Sequence, residues 1–224
     1  MNPNESGIMI ENTDLIDSSV GGVDPVRIGG LSGILAGICF IVGYSIAWAM
    51  SPWYVFGGHY LSDLGVGEGA LAFNMGAISA GLILIPFAWG LWSVLRTHVL
   101  GELGSLACAV AGIFLFLVGV FPEHAEPEGI HYAVSVSFFS FIMAALMLLI
   151  WPLSRSPPFS RLAAPLTLIV VILSAAVAVT FKEGPLIETI AVLQIIVWGF
   201  VVSLQMVIST RSERAAEQSL EELG

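Results

Sequence analysis

Three of the four histidines fall in two short polar connections between long apolar runs. The first connection, within residues 55–74 (VFGGHYLSDLGVGEGALAFN), holds His59, Asp63, Glu68 and Asn74. The second, within residues 120–135 (VFPEHAEPEGIHYAVS), holds Glu123, His124, Glu126, Glu128, His131 and Ser135. Imidazole and carboxylate groups together suit zinc, iron or manganese, and a bound metal activates water for hydrolysis. His59, Asp63, His124 and His131 are the candidate metal ligands, with zinc the expected ion. Asp63, His131, Ser135 and Asn74 are the candidate catalytic set, with Asp63 as fourth ligand or base and Asn74 or Ser135 as supporting donors. If residues 59–63 are helical, His59 and Asp63 lie one turn apart on one face, as do His131 and Ser135. Pro127 and Gly129 let the second connection fold back and bring His124 near His131. The competing reading is plainer. No HxxH or HExxH spacing is present. Ser62 and Asp63 are good helix caps, Asn74 suits an interhelical hydrogen bond, and Glu123, Glu126 and Glu128 suit a solvated loop.

The elements that must hold these residues are membrane spans. Hydrophobic residues make up 57% of the chain and charged residues 11%, with a mean hydropathy of +0.93. A soluble domain needs more charge than that to cover its surface. Crossing a hydrocarbon core roughly 30 Å thick takes about 20 apolar residues. Six runs qualify: 28–50, 70–95, 103–121, 132–153, 162–181 and 186–209. Each must close its own backbone hydrogen bonds in lipid, so each is read as a helix. The runs lack the alternation of barrel strands. The fold class is all-α, a polytopic membrane protein with six helices in one bundle. Residues 1–27 read as a disordered acidic tail, 28–209 as the membrane domain, and 210–224 as a short helical tail.

Sidedness follows from the basic residues. Arg27, Arg96, Arg155, Arg161, Arg211 and Arg214 flank the tails and the even-numbered loops, with Lys182 alone on the other side. The positive-inside rule then puts both termini in the cytoplasm and the two polar connections outside the cell membrane. The net charge of −10 argues against nucleic acid as a partner and suits a high-salt source. Cys39 and Cys108 fall inside spans and read as packing residues. Gly29, Gly33 and Gly37 make a small-residue ridge, used for packing within the chain or for a homo-oligomer. No span carries a clear mid-membrane charge, which weakens a transport reading. Glu188 is placed at the mouth of the sixth span, with Gln194 lining the same cavity or bonding across helices.

One set of short motifs looks familiar. Leu61-Ser62-Asp63-Leu64-Gly65, then Phe73-Asn74 and Gly81, then Phe121-Pro122 before His131 and Ser135, resembles the prokaryotic family called domain of unknown function 998. That family is common in archaea and is similar to the Frag/DRAM/Sfk membrane proteins. The resemblance implies a six-span fold and an outward polar cluster, and no established activity. Its recurrent residues map onto Ser62, Asp63, Leu64, Gly65, Asn74, Phe121, Pro122 and His131, leaving His59 and His124 outside the pattern. The leading expectation is a lipid- or small-ligand-interacting or accessory membrane protein. The alternatives are a metal-dependent hydrolase at the outer leaflet and a small transporter.

Overall fold

Asp24 opens the first helix. Its Oδ1 accepts from the Val26 and Arg27 N–H groups at 3.0 and 3.1 Å, and Pro25 occupies the first helical position, where no N–H is needed. The computed structural model describes residues 24–156, 159, 161–181 and 184–221, with side chains through residue 210. The acidic tail at 1–23, Lys182 and Glu183 lie outside the described residues. Six long helices follow in order: α1 (Pro25–Met50), α2 (Ala70–Leu95), α3 (Val99–Val120), α4 (Ile130–Arg155), α5 (Ala163–Phe181) and α6 (Pro185–Glu221). Each contains a segment long and apolar enough to cross a membrane.

Two boundaries differ from the sequence reading for local reasons. The apolar run in α3 begins at Leu103, yet the helix starts at Val99. Glu102 in the first turn breaks the hydropathy but suits the positive end of the helix dipole. At the other extreme, α6 continues unbroken to Glu221, so the helical tail expected from residue 210 is an extension of the sixth helix. No Gly or Pro interrupts the segment after Gly199 until the C-terminal residue, so nothing stops it.

Sequential helices pack against one another, and α1 packs on α6 to close the bundle. Small residues set the closest crossings. A Cβ on Gly43 would sit 2.6 Å from the Ala72 carbonyl oxygen and 2.8 Å from the Gly76 Cα, so α1 and α2 touch backbone to backbone. The same glycine contact joins α2 to α3 at Gly81 and Gly112. Gly29, Gly33 and Gly37 meet Gly90, Phe87 and Ser203, and Phe200, so their ridge is used against α2 and α6. The core between the helices is built from Phe87, Leu91, Leu146, Leu149, Trp198 and Met206, all nearly inaccessible. Side chains such as Leu31, Leu82 and Ile172 cover the outer surface, as lipid contact demands.

Polar bonds supply the rest. Trp198 Nε1 donates to Thr167 Oγ1 at 2.8 Å inside the core, and Ser174 Oγ donates to Gln194 Oε1 at 3.1 Å. Both tie α5 to α6.

Candidate functional site

The 51–69 connection is folded onto the helix ends by its own small core. Tyr54, Leu61 and Leu64 bury themselves against Ala47 of α1 and Phe73 of α2. Positive φ at Gly57 and Gly67 turns the chain on either side. Between them lies a single 3₁₀ turn, Ser62–Gly65. His59 precedes this turn, so it and Asp63 are not successive turns of one helix. The Asp63 side chain does not cap a following helix either: its Oδ2 accepts from the Tyr60 N–H at 2.9 Å.

Asn74 explains the Leu-Gly that follows Asp63. Its Nδ2 donates to the Gly65 carbonyl at 3.0 Å, and a Cβ on residue 65 would sit 2.8 Å from Asn74 Oδ1. The amide thus clamps the turn from the first helical turns of α2, and only glycine leaves room for it. Asn74 thus holds the turn that contains Asp63 and is not among the lining residues of the cavity described next.

Glu188, in the first turn of α6, reaches across the bundle end. Its Oε2 accepts from the Leu61 N–H at 2.7 Å, and its carboxyl also bonds the Ser62 N–H and hydroxyl. On the other side, the Glu123 carboxyl hydrogen-bonds that of Asp63, with His131 and His124 close enough to act on it electrostatically. Partial burial, then the neighbouring Asp63 carboxyl, raise the Glu123 pKa above the usual carboxylate value, and the two histidines oppose the shift. Tyr54, packed beneath this layer, is held neutral far above the usual phenol range by burial, by Tyr44 beside it and by the charges of Glu188 and Asp63.

His131 is fixed from both ends of its ring. Nδ1 lies 2.7 Å from the Phe121 carbonyl oxygen, and Nε2 lies 3.4 Å from Ser135 Oγ. A carbonyl oxygen only accepts, so Nδ1 carries a proton, and the tautomer protonated at Nδ1 turns an Nε2 lone pair to Ser135. His59 stands apart from this arrangement. Its Nδ1 accepts from the Val55 N–H at 3.0 Å, and its ring packs on Trp53 and Tyr54. Among the described residues, no three His, Cys, Asp or Glu side chains group as the ligands of one metal ion. The structure sets Glu123 beside Asp63 and within electrostatic reach of His131 and His124, and gives His59 a structural hydrogen bond instead.

Glu123 and His131 border a cavity of about 330 Å³ whose wall also includes Tyr60, Ser62, Ser135 and Glu188, whereas Asp63 and His124 are not among its lining residues. Beneath it is a neck of about 30 Å³, which shares Ser62, Ser135, Phe139 and Glu188 with the mouth. The neck in turn shares Phe40, Leu115, Phe138 and Val192 with an apolar pocket of about 90 Å³ inside the bundle. Polar mouth, narrow neck and apolar pocket are thus neighbours that share walls.

A family profile described as "Protein of unknown function (DUF998)" matches residues 34–205, more than half of the sequence. The chain belongs to the DUF998 family. Neither the curated proteins nor the solved structures gave a match. The DUF998 match takes in every element around the cavity and stops short of both tails.

In this DUF998 protein, sequence reasoning passed over Glu123 and weighed Glu188 only on the condition that it lay deeper than the interface. Glu123 reads as a loop acid until Asp63 is seen beside it. Glu188 reads as an interfacial acid, and its bond to Leu61 spans 127 positions, which no local spacing signals. An acid placed in the first turn of an apolar span was the available clue.

Proposed function

We propose that this DUF998 protein binds an amphipathic, lipid-like molecule, with its head in the polar mouth and a single chain directed into the bundle. The observation that carries the reading is the succession of three adjacent spaces, polar to apolar, that share wall residues. Ligand sites of this kind join an apolar recess to a few fixed polar groups. The mouth supplies donors and acceptors from Tyr60, Ser62, Glu123, His131 and Glu188. The neck is about 30 Å³, roughly the volume of one water molecule in the liquid. It suits an unbranched chain and excludes a ring system, and rotation of Phe40 and Phe138 widens it. In this reading the protein lies in the cell membrane with both termini cytoplasmic, so the mouth faces outward.

Photocrosslinking with a diazirine-bearing long-chain alcohol tests the reading. The probe is expected to label neck and pocket residues such as Phe138 and Val192, and excess unlabelled long-chain alcohol is expected to compete. Ala80, buried in the pocket wall, offers the control: Ala80→Leu fills the recess and shifts preference toward shorter chains. Labelling confined to the lipid-facing surface, with no competition, would remove the reading.

A further inference from the structure

Several hydroxyls in these helices share a bond that Ser135 does not make. Ser105, Ser137, Thr167, Thr180 and Thr189 each donate to the carbonyl four residues back, as helical Ser and Thr commonly do. The Ser135 hydroxyl instead faces the imidazole of His131, whose tautomer the Phe121 carbonyl fixes with Nε2 free to accept. That is the arrangement of an activated nucleophile: hydroxyl, base, and a third group that orients the base. The 3.4 Å separation is long for a hydrogen bond, but such pairs are often loose without substrate and tighten around it.

The level of Ser135 in the cavity is the second argument. It lines both the polar mouth and the neck, so it sits where the head of a bound amphiphile meets its chain. In an ester-linked lipid, that junction is the carbonyl carbon.

Resting on the binding reading above, we propose that Ser135 and His131 form a nucleophile–base pair that cleaves the ester linking the head to the acyl chain of a single-chain amphiphile. Ser135 Oγ bonds to the carbonyl carbon while its proton passes to His131 Nε2. The tetrahedral adduct collapses, the bond to the head-group oxygen breaks, and His131 returns the proton to that oxygen. Water entering from the mouth then attacks the acyl-serine carbonyl with Nε2 taking its proton; the carbonyl carbon–Oγ bond breaks, Nε2 returns the proton to Ser135 Oγ, and the fatty acid leaves. The Glu123 carboxyl stands in the electrostatic field of His131 and, when ionised, favours the imidazolium formed in each half-reaction.

The test uses the full chain in detergent micelles with hexadecyl fluorophosphonate, alongside the diazirine alcohol. Intact mass and peptide mapping should find one phosphonyl adduct on Ser135. Ser135→Ala should abolish it, and His131→Gln should slow it about a hundredfold, the scale of a lost general base. Alanine is the strongest helix former, so Ser135→Ala keeps α4, and retained diazirine labelling shows that the cavity is intact. No adduct on Ser135, or an adduct forming at the same rate in Ser135→Ala, overturns the dyad. If diazirine labelling persists in that case, the binding reading stands alone. If both probes fail to label the cavity, both proposals fall.

Discussion

Glu188 shows how much one side chain can hold in place. The N–H of buried Leu61 has its carboxyl as acceptor at 2.7 Å, and a buried donor stripped of its partner costs about 1–3 kcal/mol. Glu188→Ala should lower stability by that amount and speed amide exchange at Leu61 and Ser62, as read by thermal unfolding and hydrogen–deuterium exchange. Glu188→Gln keeps an acceptor oxygen and should recover most of the loss. Glu123 makes a pH-dependent prediction with a definite sign. Its pKa is raised in the folded protein by burial and by Asp63. Below the ordinary value of 4.5 folded and unfolded chains both hold the proton. As pH rises above it, the unfolded chain ionises first, so the native state loses stability until the folded carboxyl has ionised too. Glu123→Gln cannot ionise. A pH series of melting temperatures should show the variant gaining on wild type as pH climbs past 4.5, then a constant difference. A gap that widens toward acid would contradict the assignment.

The helices themselves were legible in the sequence, because six uninterrupted apolar runs allow little else in lipid. What run length could not give was which faces meet. Gly81 and Gly199 look alike as isolated glycines in apolar spans, yet their surroundings differ. A Cβ on Gly81 would strike the α3 backbone at Phe116 N and lie 2.6 Å from the Gly112 carbonyl oxygen, whereas one on Gly199 would find nothing within 4 Å. Gly81→Ala should therefore force α2 and α3 apart and cost about 1–3 kcal/mol. Gly199→Ala should be neutral or gain up to about 1 kcal/mol from helix propensity. Thermal unfolding of the two variants in one detergent makes the comparison. The site divides in the same way. His131 and Ser135 were legible as a helical i, i+4 pair, since α4 carries both. The pairing of His59 with Asp63 was not, because it assumed a helix where positive-φ Gly57 and the 3₁₀ turn at Ser62–Gly65 impose a different path.

At the scale of the whole molecule, the two ends of the bundle carry different chemistry, and this asymmetry should set its orientation. Arg27, Arg96, Arg155 and Arg161 cluster at the end opposite the cavity. Two of them lie over indole rings, Arg96 at 5.5 Å from Trp92 and Arg155 at 4.2 Å from Trp151, a pairing suited to the headgroup layer. The cavity end offers carboxylates, imidazoles and hydroxyls, and its described residues include no Lys or Arg. Basic residues are retained on the cytoplasmic side of short loops, so the mouth is expected outside the cell. A cysteine reporter decides this. With Cys39 and Cys108 replaced by alanine, Val55→Cys marks the cavity end, where Val55 is 59% exposed. Thr97→Cys, in the exposed turn between α2 and α3, marks the opposite end. In intact cells a membrane-impermeant maleimide should modify the cysteine at 55 and leave that at 97 untouched until the cells are permeabilised. The reverse pattern would turn the mouth toward the cytoplasm, and any ligand would then have to come from the inner leaflet.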